Sequence, residues 1–122
     1  MKKLQPYCVN EKYTIKEAVS VIQNNLSRCV IVLNDNQKVV GVFSEGDVLR
    51  AILQDVDMYA PLKNQIKPSF VYLSKRDIPK AYELVKKYGI TLIPIVDCDY
   101  YLKDVITIFD IMDHLAYINE VK

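Results

Sequence analysis

The chain has 122 residues, 51% of them hydrophobic and 25% charged, enough to build one core that buries roughly two thirds of the surface the unfolded chain exposes. Lys and Arg number 16 and Asp and Glu 15, so no charge excess draws the chain to a nucleic acid or a membrane surface, and neither is an expected partner. The three cysteines, Cys8, Cys29 and Cys98, have no C-x-x-C spacing, and the single His114 cannot complete a zinc set, so no metal site is expected and the thiols read as reduced.

From the start, Lys2-Lys3-Leu4-Gln5-Pro6 lacks the apolar run of a signal peptide, and no stretch approaches the roughly 20 apolar residues of a membrane span, which places the chain in the cytoplasm. Pro6 introduces a short extended segment, Tyr7-Cys8-Val9. Thr14 then caps a helix whose Ile15, Ala18, Val19, Ile22 and Leu26 gather on one face, and Thr14 and Glu17 have the spacing of a capping box. Cys29-Val30-Ile31-Val32-Leu33 is β-branched and continuous, as a strand buried on both faces requires. The turn at 34–37 leads to a second strand, Val39-Val40-Gly41-Val42-Phe43, paired with the first as a hairpin, and a helix follows from Glu45 with Val48, Leu49, Ile52 and Leu53. Pro61 to Ile66 suits a short connecting helix with proline near its start.

The second half repeats this order. Pro68 introduces Phe70-Val71-Tyr72-Leu73, Asp77 caps a helix ended by Gly89, Leu92-Ile93-Pro94-Ile95-Val96 and 102–106 flank the turn at Asp97-Cys98-Asp99, and a last helix carries Ile111, Met112, Leu115 and Ile118. A shift of 63 positions (77 minus 14) lays Thr14-Ile15-Lys16-Glu17-Ala18 over 77–81 and Val42 to Asp47 over Val105 to Asp110 without a gap. The expected fold is therefore α/β (α+β), two pseudo-symmetric β-α-β-β-α repeats, residues 1–60 and 61–122, packed through their sheets because neither covers its own sheet alone.

Ser44-Glu45-Gly46-Asp47 and Thr107-Ile108-Phe109-Asp110 fall where a strand turns into a helix. S/T-x-x-D there is a capping pattern, and the same free N–H groups and hydroxyl also suit a phosphate. Both readings stay open at this point. Asp97, Asp99 and Asp104 gather acid near one turn, but aspartates in turns ordinarily bond their own backbone. His114, with no partner at ligand or catalytic spacing, reads as a surface residue, and nine tyrosines suit contact surfaces with rings buried and hydroxyls at the rim.

Val39 to Arg50, Pro94-Ile95-Val96-Asp97 and Val105 to Met112, in two registered copies, resemble a tandem pair of CBS domains, named after cystathionine β-synthase and also called a Bateman module. The likeness runs over about residues 6 to 118. It departs from the family at Asp104, which aligns with Gly41 where glycine is usual. The resemblance implies two clefts that bind adenine nucleotides (AMP, ADP or ATP) and regulate an attached or partner catalytic or transport domain. It implies contacts from Ser44, Asp47, Thr107 and Asp110, with each aspartate accepting both hydroxyls of a ribose. Arg28 stands where the family puts a phosphate-facing polar residue, with Thr91 as its counterpart, and the base would take backbone contacts from Cys8, Val9, Val71 and Tyr72.

The expected function is a regulatory nucleotide-sensing module, a homodimer, and not an enzyme, because no nucleophile is paired with a base and the three glycines are too scattered for a phosphate-binding loop. No obligatory cofactor is expected. The competing expectation is a ligand-free dimerisation or docking module, including the N-terminal CBS pair of a sugar nucleotidyltransferase.

Overall fold

A computed structural model describes residues 3–67 and 69–121, so the expected role of Pro68 lies outside the described residues. The element order is β1 (Cys8–Asn10), α1 (Ile15–Asn25), β2 (Cys29–Leu33), β3 (Val39–Ser44), α2 (Glu45–Leu53), α3 (Ile78–Tyr88), β4 (Leu92–Val96), β5 (Leu102–Thr107) and α4 (Ile108–Val121). From α1 onward, every element of the first half starts 63 positions before its image in the second, as 15 and 78, 29 and 92, 39 and 102, and 45 and 108 show. β1 pairs parallel to β2 and β2 antiparallel to β3, while β4 pairs antiparallel to β5. Even the irregularity repeats: the register shifts at Val32/Leu33 and at Ile95/Val96.

The continuous apolar runs are explained by three packed clusters. Val30 and Val32 of β2 face α1 together with Ile15, Ala18, Ile22, Phe43 and Leu62. Their neighbours Cys29 and Ile31 face the other way, into a cluster with Val39, Leu92, Val96 and Val105 that belongs to both halves. Ile93, Ile95 and Ile106 pack under α3 and α4 with Ala81 and Ile111. Strand side chains alternate between faces, so a strand covered on both sides carries no polar residue, and the shared middle cluster fixes the two sheets face to face.

The caps form as the sequence demands. Thr14 Oγ1 accepts the Glu17 N–H at 3.1 Å while the Glu17 carboxylate accepts the Thr14 N–H at 3.0 Å. Asp77 accepts from the Lys80 N–H, and Gly89 ends α3 in the left-handed region at φ 66°. The two hairpin turns are the same turn: Asn34 Oδ1 accepts from Asn36 and Lys38, and Asp97 Oδ1 accepts from Asp99 and Tyr101. Those backbone bonds, the one to Tyr101 foremost, hold the Asp97 carboxyl below its ordinary range.

The connection after Pro61 is a short helix as expected, of 3-10 type, Leu62–Gln65, seated by the buried Leu62 side chain. One expectation is corrected. The segment 70–73 is not a full strand: only Leu73 bridges to Ile95, its N–H donating to Pro94 O and its carbonyl accepting from Val96 N–H. Gly41 is required by the connection, since a Cβ there would lie 2.2 Å from Ile66 Cγ2. Among the described residues no helix is long and apolar enough to cross a membrane.

Candidate functional site

β3 ends at Ser44 and α2 begins at Glu45, so the strand delivers a hydroxyl, and the helix its free N–H groups, to one point. Ser44 is extended (φ −111°, ψ 170°), its Oγ accepts the Asp47 N–H at 3.3 Å, and Asp47 Oδ2 accepts the Ser44 N–H at 2.9 Å and the Ser44 hydroxyl at 3.1 Å. The capping reading is therefore realised in full. One turn along, Arg50 Nη2 lies 2.5 Å from Asp47 Oδ1, which leaves both carboxylate oxygens engaged. The Arg50 side chain is more than half exposed, and such pairs contribute about 0–1 kcal/mol, so a ligand able to offer Arg50 an anion displaces the contact at small cost.

Opposite this junction stands the end of α3 and the start of β4. Tyr88, Gly89, Ile90, Thr91 and Leu92 form one wall, and Arg28, Cys29, Val42, Ser44, Glu45, Gly46, Asp47 and Arg50 the other, around a cleft of about 470 Å³. That size lies within the range of small-molecule sites. The walls come from opposite halves of the chain, and Thr91 Oγ1 ties them by donating to Ser27 O at 2.5 Å. Arg28 has a positive φ of 61°, a conformation costly for a residue with a Cβ, and its carbonyl accepts the Glu45 N–H at 3.0 Å, which fixes it beside the helix start. Cys29 lines the same cleft, but burial, followed by the Asp47 charge, pushes its thiol up to about 12, so it stays protonated and is no nucleophile at neutral pH.

At the second junction Asp110 Oδ2 accepts the Thr107 N–H at 2.9 Å and Thr107 Oγ1 accepts the Asp110 N–H at 3.2 Å, the same box. Its surroundings differ. Arg76 bonds Asp104 Oδ2 at 2.9 Å and Val105 O at 3.3 Å, with its other nitrogen 3.7 Å from Asp110 Oδ2. The departure at Asp104 thus belongs to an arginine-centred cluster that has no counterpart at Gly41.

Of the residues singled out in the sequence, Arg28, Ser44, Asp47 and Thr91 meet in the first cleft. Thr107 and Asp110 lie at the second junction. Cys8 and Val9 line a separate hollow of about 200 Å³, where Cys8 Sγ donates to Leu4 O at 3.3 Å and burial raises the thiol to about 11. Tyr72 stacks between Phe70 and Tyr100 beside another hollow, and Val71 belongs to the same segment. Glu45, Arg50, Tyr88, Gly89 and Ile90 were not anticipated. For Arg50 a signal existed, since three residues after Asp47 on a helix is the neighbouring position on one face. Among the described residues no group of three His, Cys, Asp or Glu is placed to hold a metal ion.

The family model of the CBS domain matches residues 1–54. An uncharacterized protein of Helicobacter pylori is 29% identical over 86 residues, covering 69% of this chain and 26% of that protein, so the chain spans about a quarter of the length of the curated relative it matches. Among solved structures, the CBS domain protein PAE2072 from Pyrobaculum aerophilum, complexed with AMP, has a TM-score of 0.76 at 24% identity, covering 96% of this chain and 95% of that one. A CBS domain pair/ACT domain protein from Thermotoga maritima has a TM-score of 0.72 at 21% identity, covering 96% and 98%.

Proposed function

We propose that the chain is a tandem pair of CBS domains, a regulatory module that binds an adenine nucleotide in the first cleft and passes its occupancy to an attached or partner domain. The observation that carries this reading is the composition of the cleft: a helix start with Ser44 and Asp47, two guanidiniums from Arg28 and Arg50, and a facing wall from the other repeat. Phosphate oxygens take the arginines and the Ser44 hydroxyl, the ribose diol takes Asp47 once Arg50 turns to the phosphate, and the base lies on the Tyr88–Leu92 wall. A ligand that touches both repeats stabilises one relative placement of them, and that differential affinity is what a regulated domain senses. The curated relative is about four times as long as its matched segment, which leaves room there for such a domain. We read the module itself as non-catalytic, acting in the cytoplasm.

A melting screen with AMP, ADP, ATP, GTP and CTP tests the reading. A ligand at a hundred times its dissociation constant stabilises the native state by about 2.7 kcal/mol, so the adenine nucleotides raise Tm and the others raise it less. No rise with any nucleotide would leave the docking alternative.

That alternative draws on the helices, where Leu49, Ile52 and Leu53 of α2 and Phe109, Met112 and Leu115 of α4 are exposed. We assign this face to a second copy of the chain, and light scattering should give twice the mass of the chain, with Leu53→Asp returning the monomer.

A further inference from the structure

We propose that the two clefts are mutually exclusive for a phosphate-bearing ligand, so that each chain binds one nucleotide, in the first cleft. The inference rests on the nucleotide-binding reading and adds the stoichiometry of that site. The image of the first cleft under the repeat is a smaller cleft of about 270 Å³, lined by Leu26, Ser27, Arg28, Thr91, Ile108, Phe109 and Met112. At equivalent positions Glu45 becomes Ile108 and Gly46 becomes Phe109, which puts an aromatic ring where the first cleft has no side chain. Arg50 becomes Asp113, which reverses the charge at the place where the first cleft holds its second guanidinium. A phosphate entering the second cleft loses space and one cation together.

Arg28 supplies a separate reason. The residue lines both clefts, as a member of the first wall in one and as the image of Thr91 in the other. Among the described residues lining the smaller cleft it is the one cation. A guanidinium that has turned to a phosphate in the first cleft is withdrawn from the second, so filling one cleft removes the anion partner of the other. Arg76, 3.7 Å from Asp110 Oδ2, is already bonded to Asp104 and the Val105 carbonyl.

Titration calorimetry of the whole chain with ATP, and separately with AMP, reads the stoichiometry, with the chain concentration fixed by amino-acid analysis. The expected result is one ligand per chain for each nucleotide. Asp47→Ala, and independently Arg50→Asp on the exposed face of α2, should weaken the entire isotherm at least tenfold and leave no residual tight site. Two ligands per chain, or one undisturbed ligand remaining in both variants, would overturn the exclusivity while leaving nucleotide binding intact. Absence of any binding to the wild-type chain would overturn the nucleotide reading itself, and this inference with it.

Discussion

Lys38 and Tyr101 pair with each other across the two repeats, in an isolated antiparallel bridge. They are 63 positions apart (101 minus 38), the repeat offset itself, so each residue is paired with its own image and the pair lies on the pseudo-twofold axis. The Val39 N–H donates to Tyr100 O at 2.8 Å, and the Lys38 ammonium sits 5.6 Å from the centre of the Tyr101 ring. At the opposite end of the hairpins Thr91 Oγ1 bonds Ser27 O. The repeats are tied at both ends, and the first cleft opens beside the second tie, where Thr91 itself is a wall residue. Under the proposed reading, a ligand there would act beside one of the contacts that join the two halves.

The thiols report the fold directly. Cys98 is exposed, while burial lifts Cys8 to about 11 and Cys29 to about 12 from an ordinary 9.0. Iodoacetamide at neutral pH should label Cys98 quickly and leave the other two until the chain unfolds, as mass spectrometry of the digested protein would read. The sign of the pH effect follows from the raised folded values: the stability held by the two neutral thiols is complete below about pH 9 and is lost as the pH rises toward 11 and 12. Denaturant midpoints should therefore fall over that alkaline range, and less steeply in Cys29→Ala.

The helix ends predict an asymmetry between two image residues. Gly89 and Leu26 both close a helix in the left-handed region, at φ 66° and φ 62°, yet only one is glycine. Leu26 is 72% exposed, so little burial is lost on truncation. Leu26→Gly should stabilise the chain by about 0.5–1 kcal/mol, and Gly89→Ala should destabilise it by about 1 kcal/mol, because nothing lies within 4 Å of the added Cβ and only the backbone cost remains. Urea midpoints at unchanged slope measure both.

The hairpins, the helices and their caps were legible because each is decided within a few residues: Cys29 to Leu33 reads as doubly buried, Thr14 and Glu17 as a box, Asn34 and Asp97 as turn acceptors. What failed was set by pairing at a distance. The leading segment at 70–73 keeps one bridge, and Leu73 stands 64 positions from Val9 while their partners Ile95 and Val32 stand 63 apart, so the link to α3 is one residue shorter and no local pattern displays it. The wall formed by Tyr88, Gly89 and Ile90 was invisible for the same reason, since it becomes part of a site only when β2 and β4 meet across the shared cluster.

Gly41 gives a test of the connection between the repeats. Gly41→Ala drives a Cβ to 2.2 Å from Ile66 Cγ2, beside the Lys67 carbonyl at 3.4 Å, and should cost about 1–3 kcal/mol as overpacking does. Ile66→Ala removes the obstructing methyl and loses its own packing against the first core cluster. The double variant should then be more stable than the sum of the two single losses by about 0.5–3 kcal/mol, the coupling expected of residues in contact. Additive losses would place the obstruction elsewhere.

Asp47 separates a cap from a ligand contact. The structure makes it a cap, with Oδ2 accepting the Ser44 N–H, so Asp47→Ala should lower stability by about 0.5–2 kcal/mol, more than a surface acid alone would. As a ribose acceptor it has a second consequence: losing a charge-assisted pair of about 1.5–3 kcal/mol weakens nucleotide affinity by roughly ten- to a hundredfold. Asp110→Ala removes an equivalent cap at a junction beside the smaller cleft, so it should show the stability loss with a much smaller change in affinity. A nucleotide lacking both ribose hydroxyls is the control, because it should bind the wild type weakly and suffer no further loss from Asp47→Ala. Stability lost equally in both variants, with affinity for every nucleotide unchanged, would leave the carboxylate as a helix cap and nothing more.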